Sequence, residues 1–410
     1  MKKYRVITYW FLGILVIVSM QACGAGEVDS TPTVVKVQPE PTATHTPEPT
    51  STATAIPTAT ITLTPTSTPQ LLMVSQTPIA LNRITVGNAS YLELLTKLDP
   101  GTASDVLAFS TDGNNLASGL AKEAFWQELL GGNRIQIWDL SDSTLAHTID
   151  IPGTLTSFSF EEDYLKIATC TNGVWYGCLG SEILQWQASD QSLVSKAGVK
   201  GLVYVFPPTD MPMVLHLSTT TYDNYQLWDL QNGKNEKIYD ISQSLEWDAA
   251  MAHSPDGEHF AIGIGTVLKL YKTSTDQPIL LDDPNDPNKK RYTAIVFSPD
   301  GSMLASGNGG GGIKLWKVSD GTGVRVLDGH TEMIDAMVFS ADGTMLATIS
   351  SDNSLRVWSV ADGTSLLTVN GVCTGSGYKA ARCSVAFSPT GTLIATVGWP
   401  DKNIQLWGIK

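Results

Sequence analysis

Residues 336–363 read AMVFSADGTMLATISSDNSLRVWSVADG, and this stretch decides the fold. One apolar run ends at Phe339 before a Ser-Ala-Asp-Gly turn, a second ends at Ile349, and a third closes on Trp358. Alternating β-branched and aromatic residues between Asp, Gly and Asn turns are typical of short antiparallel strands. Three such strands have open edges and an apolar face that they cannot cover alone, so the pattern predicts neighbouring copies of itself.

The rest of the chain supplies these copies. Seven repeats, numbered 1 to 7, align on a closing aromatic residue at intervals of 42 to 49 residues, which is the period of a propeller blade. The closing residues are Trp138, Trp186, Trp228, Tyr271, Trp316, Trp358 and Trp407. Five repeats also share a frame of Phe or His, then Ser-x-Asp/Thr-Gly, whereas repeats 2 and 3 keep the strands and lack this turn. We therefore predict an all-β, seven-bladed β-propeller over residues 84–410.

Short motifs within the repeats resemble the WD40-repeat β-propeller family. Trp138-Asp139 and Trp228-Asp229 match the dipeptide that names the family, and Gly329-His330 matches its other mark. The resemblance implies a hydrogen-bonded tetrad of His, Ser or Thr, Asp and Trp within a blade, with a structural role. Repeat 6 matches this tetrad best, with His330, Ser350 (or Thr348), Asp352 and Trp358.

Closure of the ring needs one additional strand. A blade of this family has four strands, and only three residues follow Trp407 in repeat 7. Residues 90–101, SYLELLTKLDPG, are similar to the outer strands of other repeats and precede repeat 1 without a blade of their own. We predict that they form the outer strand of the last blade and remove its open edge. The alternative is a free N-terminal hairpin.

The first 22 residues have the features of a lipoprotein signal peptide. A basic segment with Lys2, Lys3 and Arg5 precedes an apolar core of 15 residues, which is short for a membrane span. Residues 20–23, Met-Gln-Ala-Cys, resemble a bacterial lipobox, so we predict cleavage after residue 22 and a lipid on Cys23. An uncleaved anchor or an ordinary secretion signal is the alternative.

Residues 23–83 are predicted to be a disordered stalk between this anchor and the propeller. Within 30–70, fourteen of 41 residues are Thr, eight are Pro and none is aromatic. Such a composition buries too little apolar surface to fold, and its prolines favour an extended chain.

Charge excludes some partners. The formal net charge is −14, and removal of the first 22 residues leaves 23 cations against 40 anions, a net charge of −17. A strongly acidic protein is unsuited to nucleic acid and to docking on anionic lipid, so the expected link to a membrane is the lipid anchor alone.

The cysteines suit an oxidising compartment. With Cys23 taken by lipid, the remaining four form two local pairs, Cys170–Cys178 and Cys373–Cys383. Other pairings would cross between blades, so we predict these two disulfides. Free thiols in a cytoplasmic protein are the alternative, which would require a different interpretation of the signal.

No segment carries a recognisable catalytic or metal-binding motif. The chain has no G-x-S-x-G, H-E-x-x-H or P-loop pattern, and its six His residues are scattered. The oxygen-rich run 282–288 lacks the spacing of an EF-hand loop and is interpreted as a solvated turn. The glycines at 307–312 precede no helix and are interpreted as a hairpin rather than a phosphate loop. We predict no catalytic residue, metal or cofactor.

The resemblance also separates two faces. In WD40-type blades the turns after the first and third strands lie on the bottom face, and the other connections lie on the top face. The irregular segments of this chain fall on the top face: an insertion at 121–130 and the two cysteine-bounded loops. Four Trp residues outside the repeat positions also fall there, namely Trp126, Trp175, Trp247 and Trp399. Each either caps its own blade or contacts a partner.

The function indicated is a surface-tethered, non-enzymatic binding or scaffold module of the cell envelope. Its expected partner is a protein, peptide or glycan, and the protein is expected to be monomeric. Blades 7, 1 and 2 are adjacent in the predicted ring, so Trp126, Trp175 and Trp399 are the candidate binding residues, and Trp247 stands apart. The alternative is an extracytoplasmic propeller enzyme, a lyase, lactonase or hydrolase, because fold alone does not decide function.

Substitution Cys23→Ala tests the anchor. We expect it to abolish metabolic labelling of the protein with a fatty acid, because the modified thiol is gone. Labelling that survives the substitution would contradict the lipoprotein prediction.

Overall fold

The computed structural model describes residues 81–101, 104–120, 134–161, 164–170, 173–174, 177–178, 181–189, 192–199, 213–217, 224–229, 234–240, 249–275, 277–281, 290–373, 383–398 and 403–410. The chain divides into two compact units, Met1–Leu72 and Met73–Lys410, and all described residues belong to the second unit. The predicted signal peptide, Cys23 and most of the stalk therefore lie outside the described residues. Within those residues, no helix is long and apolar enough to cross a membrane.

The described part of the chain is all-β apart from one turn of 3₁₀ helix at Ala89–Tyr91. We name each sheet after its repeat. Strand β1 is Glu93–Leu98, and blade 1 follows with β2 Val106–Phe109, β3 Asn115–Gly119, β4 Arg134–Asp139 and β5 Thr144–Asp150. Repeat 2 contains β6 Thr154–Glu161, β7 Tyr164–Cys170, β8 Gly173–Val174, β9 Gly177–Cys178, β10 Ser181–Gln187 and β11 Leu193–Val199. Repeat 3 contains β12 Met213–Leu217, β13 Asn224–Asp229 and β14 Lys234–Asp240.

The second half of the chain continues the pattern. Blade 4 contains β15 Ala249–His253, β16 His259–Ile264, β17 Val267–Lys272 and β18 Ile279–Leu280. Blade 5 contains β19 Tyr292–Phe297, β20 Met303–Asn308, β21 Ile313–Lys317 and β22 Gly323–Leu327. Blade 6 contains β23 Ile334–Phe339, β24 Met345–Ser350, β25 Ser354–Ser359 and β26 Ser365–Asn370. Blade 7 contains β27 Ser384–Phe387, β28 Leu393–Val397 and β29 Ile404–Gly408.

These strands form six four-stranded antiparallel blades, not the seven that the sequence predicts. Repeat 3 is a three-stranded sheet in the order β12–β13–β14 within the described residues. Strands β8 and β9 pair with each other as a separate two-stranded hairpin in the top connection of blade 2. The all-β propeller is confirmed, and the blade count is the part of the prediction that differs.

The core lies between neighbouring blades. The innermost strand β2 of blade 1 packs against β27 of blade 7 and β6 of blade 2, and β19 of blade 5 packs against β15 and β23. Phe109 and Trp138 of blade 1 belong to one buried cluster with Leu406 of blade 7. Among these described neighbours, one blade covers the apolar face of the next, which a single antiparallel sheet cannot do for itself.

The N-terminal strand closes the last blade, as predicted. Strand β1 pairs antiparallel with β29, from Glu93 opposite Gly408 to Leu98 opposite Ile404, so blade 7 has the order β1–β29–β28–β27. Leu98 is 2% exposed and lies in the cluster that joins blades 7 and 1. The pairing gives β29 a partner on its outer side.

A segment before this strand, residues 81–92, extends the closure across the bottom face. We call it the strap. The amide of Ile84 donates to the carbonyl of Gly391 (2.8 Å), in the bottom turn of blade 7. Asn82 pairs with Ile409, and its side chain donates to the carbonyl of Lys410 (3.0 Å). Residues 81–83, which we assigned to the stalk from the sequence, are thus hydrogen-bonded or packed onto the propeller.

Removal of residues 1–101 should destabilise the propeller strongly compared with removal of residues 1–80. The shorter chain loses the buried side chains of Ile84, Leu92 and Leu98, each contributing about 1.5–3 kcal/mol. We expect the melting temperature to fall by on the order of 10 °C, measured by circular dichroism.

A matched control is Arg83→Ala in the longer chain. It removes only the exposed ion pair between Arg83 Nη2 and Asp342 Oδ2 (3.2 Å), which is worth at most about 0.5 kcal/mol. Equal melting temperatures for the two truncated chains would show that β1 does not stabilise the ring.

Candidate functional site

In blade 6 a chain of hydrogen bonds links four side chains. Trp358 Nε1 donates to Thr348 Oγ1 (2.8 Å), and Thr348 Oγ1 lies 2.8 Å from Nε2 of His330. Nδ1 of His330 lies 2.8 Å from Oδ2 of Asp352, which also accepts the amide of Thr331 (3.0 Å). These hydrogen bonds connect β24, β25 and the segment before β23. They therefore fix the top end of blade 6 to the connection that enters it from blade 5.

The protonation state of the histidine follows from these partners. The ionised carboxylate of Asp352 can only accept a hydrogen bond, so Nδ1 of His330 carries the proton. Nε2 of His330 then accepts the hydroxyl hydrogen of Thr348. Burial lowers the pKa of His330, against the opposing effect of Asp352. The imidazole is therefore neutral near pH 7, and each polar atom of the relay has a partner.

The hydroxyl of this tetrad belongs to Thr348 and not to Ser350, which corrects our first choice from the sequence. Both residues lie on β24 two positions apart, so they share a face and their spacing does not distinguish them. Ser350 Oγ instead donates to the carbonyl of Glu332 (3.1 Å) and accepts the amide of Asp352 (3.1 Å). Only the position of the Trp358 indole decides between them.

Three other blades repeat half of this arrangement. The indole of the closing Trp donates to a Ser or Thr hydroxyl on the preceding strand: Trp138 to Ser118 (3.0 Å), Trp316 to Ser306 (2.8 Å) and Trp407 to Thr396 (2.9 Å). These bonds satisfy a buried N–H inside each blade. We therefore interpret the arrangement as structural.

The bottom turns have a hydrogen-bond pattern of their own. In blades 1 and 5 the Ser hydroxyl donates to the Asp carboxylate two residues later, Ser110 to Asp112 (2.6 Å) and Ser298 to Asp300 (2.5 Å). This bond, with further donors from the turn, lowers the pKa of both Asp residues. The polar groups of these tight turns therefore find their hydrogen-bond partners within the turn itself.

Comparison with known proteins agrees with this geometry. The family model for the WD domain, G-beta repeat, matches residues 288–317, 321–359 and 371–408, which correspond to blades 5, 6 and 7. These three stretches therefore match WD40 repeats. The best match to the tetrad lies in blade 6, in the middle of the three matched stretches.

Curated relatives share parts of this WD40 region. Matches include a probable serine/threonine-protein kinase PkwA of Thermomonospora curvata, 35% identical over 72 residues, which are 16% of this chain and 10% of the relative. WD repeat-containing protein 90 of Xenopus tropicalis is 23% identical over 45% of this chain and 9% of its own length. WD repeat-containing protein SL1-17 of Schistosoma mansoni is 25% identical over 38% of this chain and 50% of its own length. The chain thus spans from about a tenth to half of the length of these relatives.

On the top face of the propeller, a disulfide braces the connection from blade 6 to blade 7. Cys373 and Cys383 are bonded, as predicted. The amide of Cys373 donates to Asn353 Oδ1 (3.0 Å), in the top turn of blade 6. A Cβ on Gly398 would lie only 2.7 Å from Cys383 Sγ, so the disulfide packs directly against the residue that precedes Trp399.

The remaining candidate side chains lie outside the described residues. This holds for Trp126, Trp175 and Trp399 and for Trp247, so their grouping into one site stays a prediction. Cys170 is disulfide-bonded, and its predicted pairing with Cys178 stays a prediction because the side chain of Cys178 is not described.

The glycine-rich segment of blade 5 uses its amides within its own turn. Asn308 Oδ1 accepts the amides of Gly310 (2.9 Å) and Gly312 (3.1 Å), and the carbonyls of Arg291 and Asn308 accept those of Gly309 and Gly311. The positive φ of Gly311 (84°) permits this turn beside the carbonyl of His330. The hairpin interpretation is supported.

Sequence analysis missed two carboxylates at the top ends of innermost strands. Asp105 and Asp335 each stand four residues before the Phe of their frame, Phe109 and Phe339, at the top end of an innermost strand. Asp105 is buried, and Asp335 Oδ2 accepts a hydrogen bond from Ser351 Oγ (2.9 Å). The sequence signal for these two carboxylates is their shared position, four residues before the Phe of the repeat. The apolar residues that follow them drew attention instead.

Substitution Thr348→Val tests the tetrad. It keeps the shape of the side chain but leaves Trp358 Nε1 and His330 Nε2 buried without a partner. We expect a loss of about 2–4 kcal/mol, measured as a lower urea midpoint.

Ser350→Ala is the matched control on the same face of β24, and should cost about 1 kcal/mol. An equal or larger loss for Ser350→Ala would contradict the assignment of the tetrad hydroxyl to Thr348.

Proposed function

We propose that this protein is a non-enzymatic binding module of the cell envelope, tethered by a lipid on Cys23 and a stalk up to the strap. Its WD40 propeller presents the top face to a protein or peptide partner and acts as a monomer. The observation that carries the proposal is the asymmetry between the two faces.

Part of the bottom face is covered by the chain itself. The strap reaches the bottom turns of two blades through Ile84 with Gly391 and Arg83 with Asp342, and the chain before residue 81 starts from there. A tether that leaves from the bottom face orients the top face away from the surface to which it is attached. The top face is then the side that a partner reaches first.

The top face supports a pre-ordered contact surface around blade 7. The Cys373–Cys383 disulfide and the hydrogen bond from Cys373 to Asn353 hold the connection that enters this blade. Gly398 packs against the same disulfide, immediately before Trp399. A rigid base beneath an aromatic residue favours binding, because less conformational entropy is lost when a partner docks.

The charge of the top face indicates the chemistry of the partner. Asp105 and Asp335 lie at the top ends of innermost strands, in a protein with a net charge of −14. We infer that the partner segment carries Lys or Arg side chains, which would approach these carboxylates while its apolar residues contact the tryptophans.

We further propose that repeat 3 is the seventh blade. Its three-stranded sheet stands in chain order between blades 2 and 4, and a fourth, innermost strand would fall at 201–212, outside the described residues. The two disulfide pairs and the lipid on Cys23 would together use all five cysteines.

The partner is to be captured by cross-linking the protein on intact cells, followed by identification of the product. Protease treatment of the cell surface before cross-linking should abolish capture of a protein partner. Capture that survives protease and is lost after glycosidase would indicate a glycan.

With the captured partner in hand, Trp126→Ala, Trp175→Ala and Trp399→Ala should each weaken binding by about 2 kcal/mol or more. Trp247→Ala is the matched control, since repeat 4 lies away from blades 7, 1 and 2, and it should cost much less. Affinity is measured by isothermal titration calorimetry. Near-equal affinities for the three variants and the parent would rule out this site.

A further inference from the structure

The bottom turn of blade 4 departs from its sister turns at one position. In three other blades the residue after Asp-Gly donates its side chain back to the Asp carboxylate: Asn114 to Asp112 (2.8 Å), Ser302 to Asp300 (2.8 Å) and Thr344 to Asp342 (2.8 Å). In blade 4 this residue is Glu258, which has no proton to donate when ionised. Asp256 therefore faces a second carboxylate where its counterparts face a donor.

The following position also differs. It is Asn115, Met303 or Met345 in the sister turns, and His259 in blade 4. Nδ1 of His259 is buried and meets no hydrogen-bond partner in the described part of the chain. The ligand atoms of Asp256, Glu258 and His259 all lie within 4.8 Å of one another. The turn thus brings two carboxylates and an imidazole with an unused nitrogen to one point.

The two carboxylates of this turn have too little positive charge beside them to balance their own. The facing cation on the paired strand is Lys272, whose Nζ lies 4.0 Å from Glu258 Oε2, with both side chains more than half exposed. An exposed pair at this distance contributes little, so it offsets the repulsion between the carboxylates only weakly.

We propose that Asp256, Glu258 and His259 bind a divalent transition-metal ion of the Zn²⁺ class. One imidazole with two carboxylates suits Zn²⁺ and its first-row neighbours, whereas Ca²⁺ prefers six or more oxygen ligands. Three protein ligands leave at least one position for water or for a donor group from another molecule. The site is on the bottom face and is independent of the proposed partner site on the top face.

A glycine of blade 5 lies against this site. Gly301 of the neighbouring bottom turn stands beside it, and a Cβ there would lie 3.6 Å from Asp256 Oδ2. Because this position has no side chain, blade 5 neither fills the site nor supplies a competing hydrogen-bond donor at this point.

The probe is Zn²⁺ itself, titrated by isothermal titration calorimetry into the untagged chain after treatment with a chelator. We expect one high-affinity equivalent. The double variant Glu258→Ser, His259→Met gives the turn the residues of blade 5 and should weaken Zn²⁺ binding at least tenfold. It should melt at or above the parent temperature without metal, because the serine hydroxyl introduced by Glu258→Ser would restore the missing donor to Asp256.

Blade 5 offers the reciprocal variant. Ser302→Glu with Met303→His transfers the blade 4 pattern to a turn of the same geometry and should add a second equivalent of Zn²⁺. The single variant His259→Gln serves as a further test if the double variant of blade 4 does not fold, and it should also lose the tight equivalent.

Two results would overturn the proposal. One is parent-like Zn²⁺ binding by folded Glu258→Ser, His259→Met or by His259→Gln. The other is the absence of any Zn²⁺ equivalent in the parent. If Ca²⁺ instead bound with the same dependence on His259, the assignment to the Zn²⁺ class would be wrong.

Discussion

The antiparallel pairing of β1 with β29 is the interaction on which the ring depends. A blade is stable because its apolar face packs on the next blade. An open row of blades would leave the faces at its two ends uncovered, so the last sheet has to meet the first. Strand β1 belongs to blade 7, while the residues after it enter blade 1 directly, so one short segment joins both sides of the closure. Leu98 lies where the two blades meet and is almost fully buried. The strap adds Ile84 to a second buried cluster, between blades 6 and 7.

The repeated bottom turn shows how one sequence frame serves two purposes. The Ser-to-Asp hydrogen bond makes the turn independent of its neighbours, and the residue after Asp-Gly completes the carboxylate's partners in blades 1, 5 and 6. Blade 4 keeps the turn and changes the completing residue to Glu258. Because blade 4 keeps the Ser and Asp of this turn, the positions that follow can carry other chemistry.

The two faces of the propeller have different roles for a related reason. Tight turns and the strap leave the bottom face little conformational freedom, whereas the top connections vary in length and are braced individually. The Cys373–Cys383 disulfide joins the ends of one such connection and packs on Gly398 of another. Long connections can diverge without cost to the strands, which is why binding residues are expected on this face.

The sequence by itself determined the repeat, the strand pattern, the role of β1 and the Cys373–Cys383 pair, because strand periodicity, turn residues and short cysteine spacings are local signals. It did not distinguish Thr348 from Ser350, since residues two apart on a strand share a face and only the position of the Trp358 indole separates them. It also placed residues 81–83 in the stalk, because a strap held by backbone hydrogen bonds to residues over 300 positions away leaves no local pattern. The short distances between the side chains of Asp256, Glu258 and His259, and the burial of Asp105, likewise needed the tertiary structure. Contacts set by the packing of whole blades are not encoded in any single stretch of the chain.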